Sequence, residues 1–356
     1  MILPGATIGI IGGGQLGRML AIAAAELGYL THIYTPEQHS PASQVSWKTT
    51  VADYSDSKAL QVFAGSVDVI TFEFENIPHE SLEMLESRRP VFPSAHVLKT
   101  GRNRIREKTF INETGIATAE FFKITHEEEL KRATGKTGLP AILKTSELGY
   151  DGKGQVTLRP ESDLAQAWKG LHTQEAVLEK FVDFRMEISV IVARGKDGAV
   201  SCYVPVQNIH KNHILDVTMA PAPIEKSLAA EAEAIAVKIA EALTLRGLLA
   251  VEMFVTKDNR LLVNEIAPRP HNSGHWTMDA CVTSQFEQAI RAVCGLPLGN
   301  PQRLCDAEMK NLIGDDVNSA RNYLTDTNAR LHLYGKKEIR PGRKMGHVNI
   351  LKIQPV

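Results

Sequence analysis

The chain opens on a continuous apolar run, "ATIGIIG", then glycines, then "QLGRMLAIAAAELG", where apolar residues recur at helical spacing as far as Gly28. This pattern predicts a short buried strand, a tight turn and a helix. "YLTHIYTP" reads as a second strand and "VDVITFEFEN" as a later one. Strands alternating with helices over roughly residues 5–98 predict a parallel α/β sheet. A helix around "RNRIREKTFINETG" ends at Gly115.

The rhythm then changes. Residues 116–183 predict a small α+β unit: "AILKT" is a strand, a glycine-rich loop follows, and "SDLAQAWKGL" is a helix with Ser162 as its cap. Thr125 and Glu128 predict a capping box for "HEEELKRAT". From 184 to about 297 come the strands "MEISVIVARG" and "SCYVPVQNIH", the helix "SLAAEAEAIAVKIAEALT" and a hairpin. The last sixty or so residues read as a smaller α/β piece.

With 356 residues, the chain is long enough for two or three compact units. Lys plus Arg total 40 against 41 Asp plus Glu, which leaves no basic footprint for nucleic acid and no polybasic membrane patch. No signal-peptide layout opens the chain and no long apolar run follows, so a membrane partner is not expected. Cys202, Cys281, Cys294 and Cys305 are scattered without a C-x-x-C pair, which predicts reduced thiols in a cytoplasmic enzyme.

Three stretches carry candidate chemistry. Gly12, Gly14 and Gly17 in "GGGQLGRML" satisfy the G-x-G-x-x-G spacing. A dinucleotide site also needs an acid at the end of the second strand, where this chain has Thr35 and Pro36; Glu37 lies beyond. The loop therefore reads as a monophosphate site on a helix N-terminus, with a tight turn as the bland alternative, and NAD is not expected. In "LLAVEMFVTKDNRLLVNEIAPRP", a two-residue turn at Asp258-Asn259 sets Glu252 directly opposite Glu265 on one face. Like charges so placed are destabilising unless both are solvated or a cation joins them, and Mg²⁺ (or Mn²⁺) suits two carboxylates plus phosphate oxygens. Lys144 ends an apolar strand beside "GYDGKGQ", whose glycines suit a flap closing over phosphates or an ordinary hairpin tip.

A lysine-ended strand, a glycine flap and two glutamates on a later hairpin are the layout of the ATP-grasp superfamily. "GGGQLGRM", "TFEFENIP", "GYDGKGQ", "NEIAPRPHNSGHWT" and "RPGRKMGH" together resemble the N5-carboxyaminoimidazole ribonucleotide synthetases of purine biosynthesis, from residue 8 to about 350. The resemblance implies an ATP-grasp fold of mixed α/β and α+β class. Its units would be a Rossmann-like pre-ATP-grasp domain (1–99), an ATP-grasp domain (100–297, with a mobile lid at about 116–183) and a small C-terminal subdomain (298–356) packed on the ATP-grasp core. It also implies a reaction: ATP, bicarbonate and 5-aminoimidazole ribonucleotide give the N5-carboxylated nucleotide, ADP and phosphate, with carboxyphosphate between. The resemblance implies no NAD and no biotin, and favours a homodimer.

Carried over residue by residue, Gly14, Gln15 and Leu16 would hold the 5′-phosphate, and Glu73 and Glu75 would contact the ribonucleotide. Strand alternation through "FEFEN" would put these two glutamates on one face. Arg104 and Lys144 would meet ATP phosphates under a flap of Gly149, Tyr150, Asp151, Gly152, Lys153, Gly154 and Gln155. Glu179, Lys180, Phe181 and Val182 match the adenine hinge, Glu187 the ribose carboxylate, and His210 a further nucleotide contact. Glu252 and Glu265 would hold the metal, with Asn264 beside them.

Arg269, His271 and Asn272 would cradle bicarbonate, since arginine holds a planar oxyanion at two points. On composition, "YGKKEIRPGRKMGH" reads as a solvated basic stretch. The resemblance instead gives Lys336 a catalytic role and puts Arg343 and Lys344 at the substrate phosphate, with spacing unable to separate Lys336 from Lys337. The chain departs from the family pattern at Ser146, Glu147 and Leu148, and stops soon after "GHVNILKI", predicting an abbreviated C-terminal subdomain.

Overall fold

A computed structural model describes residues 1–147, 149 and 153–353. The N-terminal sheet is four-stranded and parallel, in the order Lys48–Val51, Leu30–Thr35, Thr7–Ile11, Val69–Phe72. The strands Thr7–Ile11 and Val69–Phe72 are apolar because both faces are covered, whereas the edge strand Lys48–Val51 is mostly polar and not buried. The helix Gln15–Glu26 buries Leu16, Met19 and Leu20, while Phe63 packs under Gly9, where a Cβ would lie 2.7 Å from the ring.

A nine-stranded antiparallel sheet forms the centre. Its main path runs Leu261–Ala267, Gly247–Thr256, Phe184–Arg194, Val206–Lys211, Ile214–Ala220, Asp306–Ile313, Lys344–Lys352, Ala329–Leu333, and Val200–Cys202 pairs off it. Alternation in Phe184–Arg194 sends Ile188, Val190 and Val192 toward the helix Lys226–Ala242, and Ile191 and Ala193 toward the helix Gln285–Cys294. A third sheet, Phe121–Ile124, Ala176–Lys180, Ala141–Thr145, Gln155–Leu158, carries the helices Glu127–Thr137 and Leu164–Gly170 over a small core. Among the described residues, no helix is long and apolar enough to cross a membrane.

Several local expectations are corrected. The strand expected through Asn76 ends at Phe72, so Glu73 and Glu75 sit in the connection beyond it. "SCYVPVQNIH" is broken between Cys202 and Val206, across Pro205, which has no N–H for a ladder. Asp163 rather than Ser162 caps the helix Leu164–Gly170, accepting from the Gln166 N–H. Glu129 rather than Glu128 reaches back to the Thr125 N–H at 2.8 Å. The C-terminal stretch contributes strands to the central sheet and a 3-10 segment, Gly314–Thr325, in place of an α-helix.

Candidate active site

A cleft of about 640 Å³ opens where the three sheets meet. At one end, Asn103 starts the helix Arg104–Glu113 by accepting from the Ile105 and Arg106 N–H groups, both at 3.1 Å. That helix brings Arg104 and Glu107 to the cleft and sets Lys108 behind them. Arg104 donates to Glu265 at 2.8 Å and to the Gly149 carbonyl at 3.3 Å. Lys108, fully buried, donates to the Asn264 carbonyl at 2.9 Å and lies 3.2 Å from Glu179. Glu107 accepts from the Ile266 N–H at 2.6 Å, and burial outweighs nearby Lys108 to push its carboxyl up to about 8.

Lys144, on the strand Ala141–Thr145, donates to Glu179 at 2.8 Å. Glu179 is buried, which alone would raise its pKa, but Lys108 and Lys144 together bring it down to about 2. Burial pulls the Lys144 ammonium below its ordinary range despite Glu179. The result is a cluster of three cations (Arg104, Lys108, Lys144) around Glu179 and Glu265, buried at Lys108 and Glu179 and open to the cleft at Glu265. Further along, His210 lies 2.9 Å from Glu187; burial lowers its affinity for a proton, and that carboxylate more than restores it.

The paired glutamates are opposite one another, by a different route from that expected. The hairpin loop has three residues, Lys257 to Asn259, with Asn259 at φ 60°, since Val255 pairs with Leu261 and the Thr256 N–H donates to the Arg260 carbonyl. That loop alone would slip Glu265 to the other face. A bulge at Asn264 inserts one residue, moves the pairing from Met253–Val263 to Glu252–Glu265, and restores the shared face. Each carboxylate has a partner: Glu252 lies 3.0 Å from His271 Nε2 and Glu265 takes Arg104. Burial would raise Glu265, and Arg104 overrides it, holding the carboxyl at about 2. Asn264 Oδ1 is buried without a hydrogen-bond partner. Two carboxylates and an unsatisfied amide oxygen lining the same cleft form a hard-oxygen donor set that fits Mg²⁺ or Mn²⁺.

At the other end the glycine loop meets its own carboxylate. The Gly14 N–H donates to Glu73 Oε1 at 2.7 Å, and a Cβ on Gly12 would lie 2.6 Å from the same oxygen. Burial raises the Glu73 pKa despite that hydrogen bond. Gln15 and Leu16, the first two helical residues, face the cleft beside it. Arg269 donates to Glu75 at 2.9 Å; burial disfavours its charge, yet Glu75 raises its pKa further. His271 is held at its backbone by Gln285, which accepts from the His271 N–H at 2.9 Å and donates to its carbonyl at 2.8 Å. Lys336 donates to the Lys344 carbonyl at 2.7 Å, and burial followed by Arg343 lowers it to about 8.

Comparison with known proteins follows this geometry closely. Residues 5–101 match the ribonucleotide synthetase preATP-grasp domain, 109–286 the ATP-grasp domain, and 307–354 the phosphoribosylaminoimidazole carboxylase C-terminal domain. An N5-carboxyaminoimidazole ribonucleotide synthase of Brucella melitensis is 50% identical over 98% of this chain and 97% of its own. The chain belongs to the N5-carboxyaminoimidazole ribonucleotide synthetase family. A Dictyostelium discoideum bifunctional purine synthesis protein is 49% identical over 97% of this chain, which spans 37% of that longer protein. A family member crystallised with ADP superposes with a TM-score of 0.96 at 46% identity, covering 99% of this chain and 94% of that one. An Aspergillus clavatus member in complex with ADP and 5-aminoimidazole ribonucleotide gives 0.91 at 31% identity over 97% and 93%.

Of the residues that the family resemblance singled out, the cleft is lined by Gln15, Leu16, Glu73, Glu75, Arg104, Lys144, Gly149, Lys153 and Gln155. Glu187, His210, Glu252, Asn264, Glu265, Arg269, His271, Asn272 and Lys344 complete that set. Gly14, Gly154, Glu179, Lys180, Phe181, Val182, Lys336 and Arg343 are not among the residues that line it. Tyr150, Asp151 and Gly152 lie outside the described residues. Sequence reasoning missed Glu107 and Lys108. Their signal was present: Lys108 follows Arg104 by four residues, on the same helical face, in a helix with few apolar residues of its own.

Proposed function

We propose that this chain joins bicarbonate to 5-aminoimidazole ribonucleotide with hydrolysis of ATP, through carboxyphosphate, in purine biosynthesis. The observation that carries this reading is one cleft in which the Arg104–Lys144–Glu252–Glu265 group and the Arg269–His271–Asn272 turn face the same space as Gln15 and Glu75. ATP phosphates meet Arg104 and Lys144, under the flap 149–155. Glu252, Glu265 and Asn264 hold a divalent cation, which supplies charge neutralisation on the phosphates.

A bicarbonate oxygen attacks the γ-phosphorus and ADP departs, giving carboxyphosphate. Arg269, His271 and Asn272 orient the bicarbonate; both amide atoms of Asn272 are buried without a partner, and its Nδ2 would donate to a bicarbonate oxyanion while its Oδ1 accepts from the bicarbonate hydroxyl. Loss of phosphate releases CO₂, and the exocyclic amine attacks its carbon, forming the N–C bond as a proton leaves nitrogen. Glu75, released from Arg269, contacts the ribonucleotide. With Gly14 already engaged by Glu73, the 5′-phosphate is held by the Gln15 and Leu16 N–H groups together with Arg343 and Lys344. Lys336, half-buried with a lowered pKa, is better suited to an active role than Lys337, which is exposed.

The sheet over 116–183 closes as a lid and excludes water from carboxyphosphate. The enzyme works as a cytoplasmic homodimer. ADP release with Mg-ATP, leaving out bicarbonate or aminoimidazole ribonucleotide in turn, tests the proposal: both omissions should suppress it. Release indifferent to the ribonucleotide would reopen the identity of the substrate.

A further inference from the structure

A row of buried polar side chains crosses three adjacent strands of the central sheet and ends on His271. Thr218 Oγ1 lies 3.1 Å from Asn208 Oδ1, Asn208 Nδ2 is 2.9 Å from Ser189 Oγ, and Ser189 Oγ is 2.7 Å from Ser273 Oγ. Ser273 Oγ is 2.8 Å from His271 Nδ1. Thr218, Ser189 and Ser273 are fully buried and Asn208 is 5% exposed. Polar residues are expensive at such positions, where apolar residues pack well. Ser189 and Asn208 share their strands with the apolar Val190 and Val206, so the polar choice is specific to this row.

The direction of every bond in the row follows from one backbone group. The Ser273 N–H, which can only donate, also points at His271 Nδ1, at 3.4 Å. Nδ1 is therefore an acceptor without a proton, and the Ser273 hydroxyl must donate to it. That uses the one Ser273 proton, so Ser189 donates to Ser273. Ser189 in turn accepts from the Asn208 amide nitrogen, which turns Asn208 Oδ1 toward the Thr218 hydroxyl. The reverse polarity, with the Asn208 amide flipped, would leave the Ser273 N–H facing a protonated Nδ1, so that one contact sets the direction of the row.

We infer that Thr218, Asn208, Ser189 and Ser273 act as positioning residues that hold His271 in its neutral Nε2–H tautomer, with that proton directed into the cleft. His271 Nε2 lies 3.0 Å from Glu252 Oε1, an acceptor within hydrogen-bond reach, and the ring lines the cleft. A donor at this atom suits an incoming oxyanion; a lone pair there would repel one. The Gln285 clamp on the His271 backbone fixes the residue's position, and the row fixes which nitrogen carries the proton.

The inference rests on reading His271 as a bicarbonate contact, and the test separates the two. Nitrogen-15 NMR of histidine-labelled protein at neutral pH, with the His271 signals assigned from a His271→Asn variant, should show a protonated Nε2 and an unprotonated Nδ1. A protonated Nδ1 would overturn the inference whatever the variants do. Ser273→Ala should let the Nδ1–H tautomer appear and lower kcat at least about tenfold, as wrong-tautomer histidines do. The ATP KM should stay unchanged, and Ser273→Thr, which keeps the hydroxyl, should restore both signals and rate.

Asn208→Leu should act through the same path, so its effect on kcat and that of Ser273→Ala should be non-additive. Additive effects, or an unchanged tautomer and rate in Ser273→Ala, would contradict the relay. Unimpaired bicarbonate-dependent turnover in His271→Asn would instead sink the bicarbonate reading and leave the tautomer result standing.

Discussion

Glu107 and Glu265 are neighbours in the cleft, yet their surroundings push them in opposite directions. Glu265 has Arg104 at 2.8 Å and stays ionised to about pH 2, whereas Glu107 is buried with a backbone N–H as its close donor and rises to about 8. For Glu107 the folded pKa lies above the ordinary carboxylate value of about 4.3. Its contribution to stability is then fully present below that value and is lost as pH rises to about 8. Glu107→Gln keeps an oxygen for the Ile266 N–H and removes the titration. The melting temperature of the variant, relative to wild type, should therefore rise between pH 5 and pH 8; a constant difference would contradict the assignment. Glu265→Gln should lower kcat on the order of 10²-fold or more, the size expected for losing metal-centred charge stabilisation. Steady-state turnover near the wild-type rate would exclude it as a ligand.

At the scale of elements, one helix, one strand and one hairpin arrange the nucleotide end. Asn103→Ala removes the acceptor for two helix N–H groups and should destabilise the protein by about 1 kcal/mol in urea denaturation. It should also raise the ATP KM, because Arg104 and Lys108 ride on that first turn and a half; loss of stability with an unchanged KM would separate the cap from the site. Alternation and turn residues made most such elements legible: the strands at 7–11, 30–35, 141–145 and 247–256 and the helices at 15–26 and 226–242 stand where their periodicity puts them. The Glu252–Glu265 pairing was legible only through two departures that cancel, a longer loop and the Asn264 bulge. The loop length leaves no mark on hydrophobic alternation, whereas the bulge does, as the consecutive polar pair Asn264–Glu265 that stretches the apolar spacing from two to three between Val263 and Ile266. Glu73 and Glu75 were legible as site residues and not as strand residues, because the strand ends where pairing with Ile11 ends and Glu73 turns to the Gly14 N–H.

For the whole molecule, the alternation of strands and helices revealed the parallel N-terminal sheet, and the motifs revealed the ATP-grasp layout. The continuity of the central sheet was not legible. It depends on Ile214–Ala220 pairing with Asp306–Ile313 across some ninety residues, a contact that local patterns do not encode. The same distance hides the buried row behind His271, whose members come from three strands and a turn. Long-range assembly also brings the proposed ATP groups together from the central sheet (Glu187, Glu265) and the third sheet (Lys144), so ADP should stabilise those two sheets together. At one hundred times its dissociation constant the gain is about 2.7 kcal/mol, read as a single raised unfolding transition. Two transitions, with only one shifted, would argue against such coupling.

The central claim is that bicarbonate, and not water, takes the γ-phosphoryl group. Bicarbonate labelled with oxygen-18, supplied with Mg-ATP and 5-aminoimidazole ribonucleotide, tests it by mass spectrometry of the released phosphate. Passage through carboxyphosphate leaves one bicarbonate oxygen on each phosphate. Unlabelled phosphate formed during productive turnover would contradict the account.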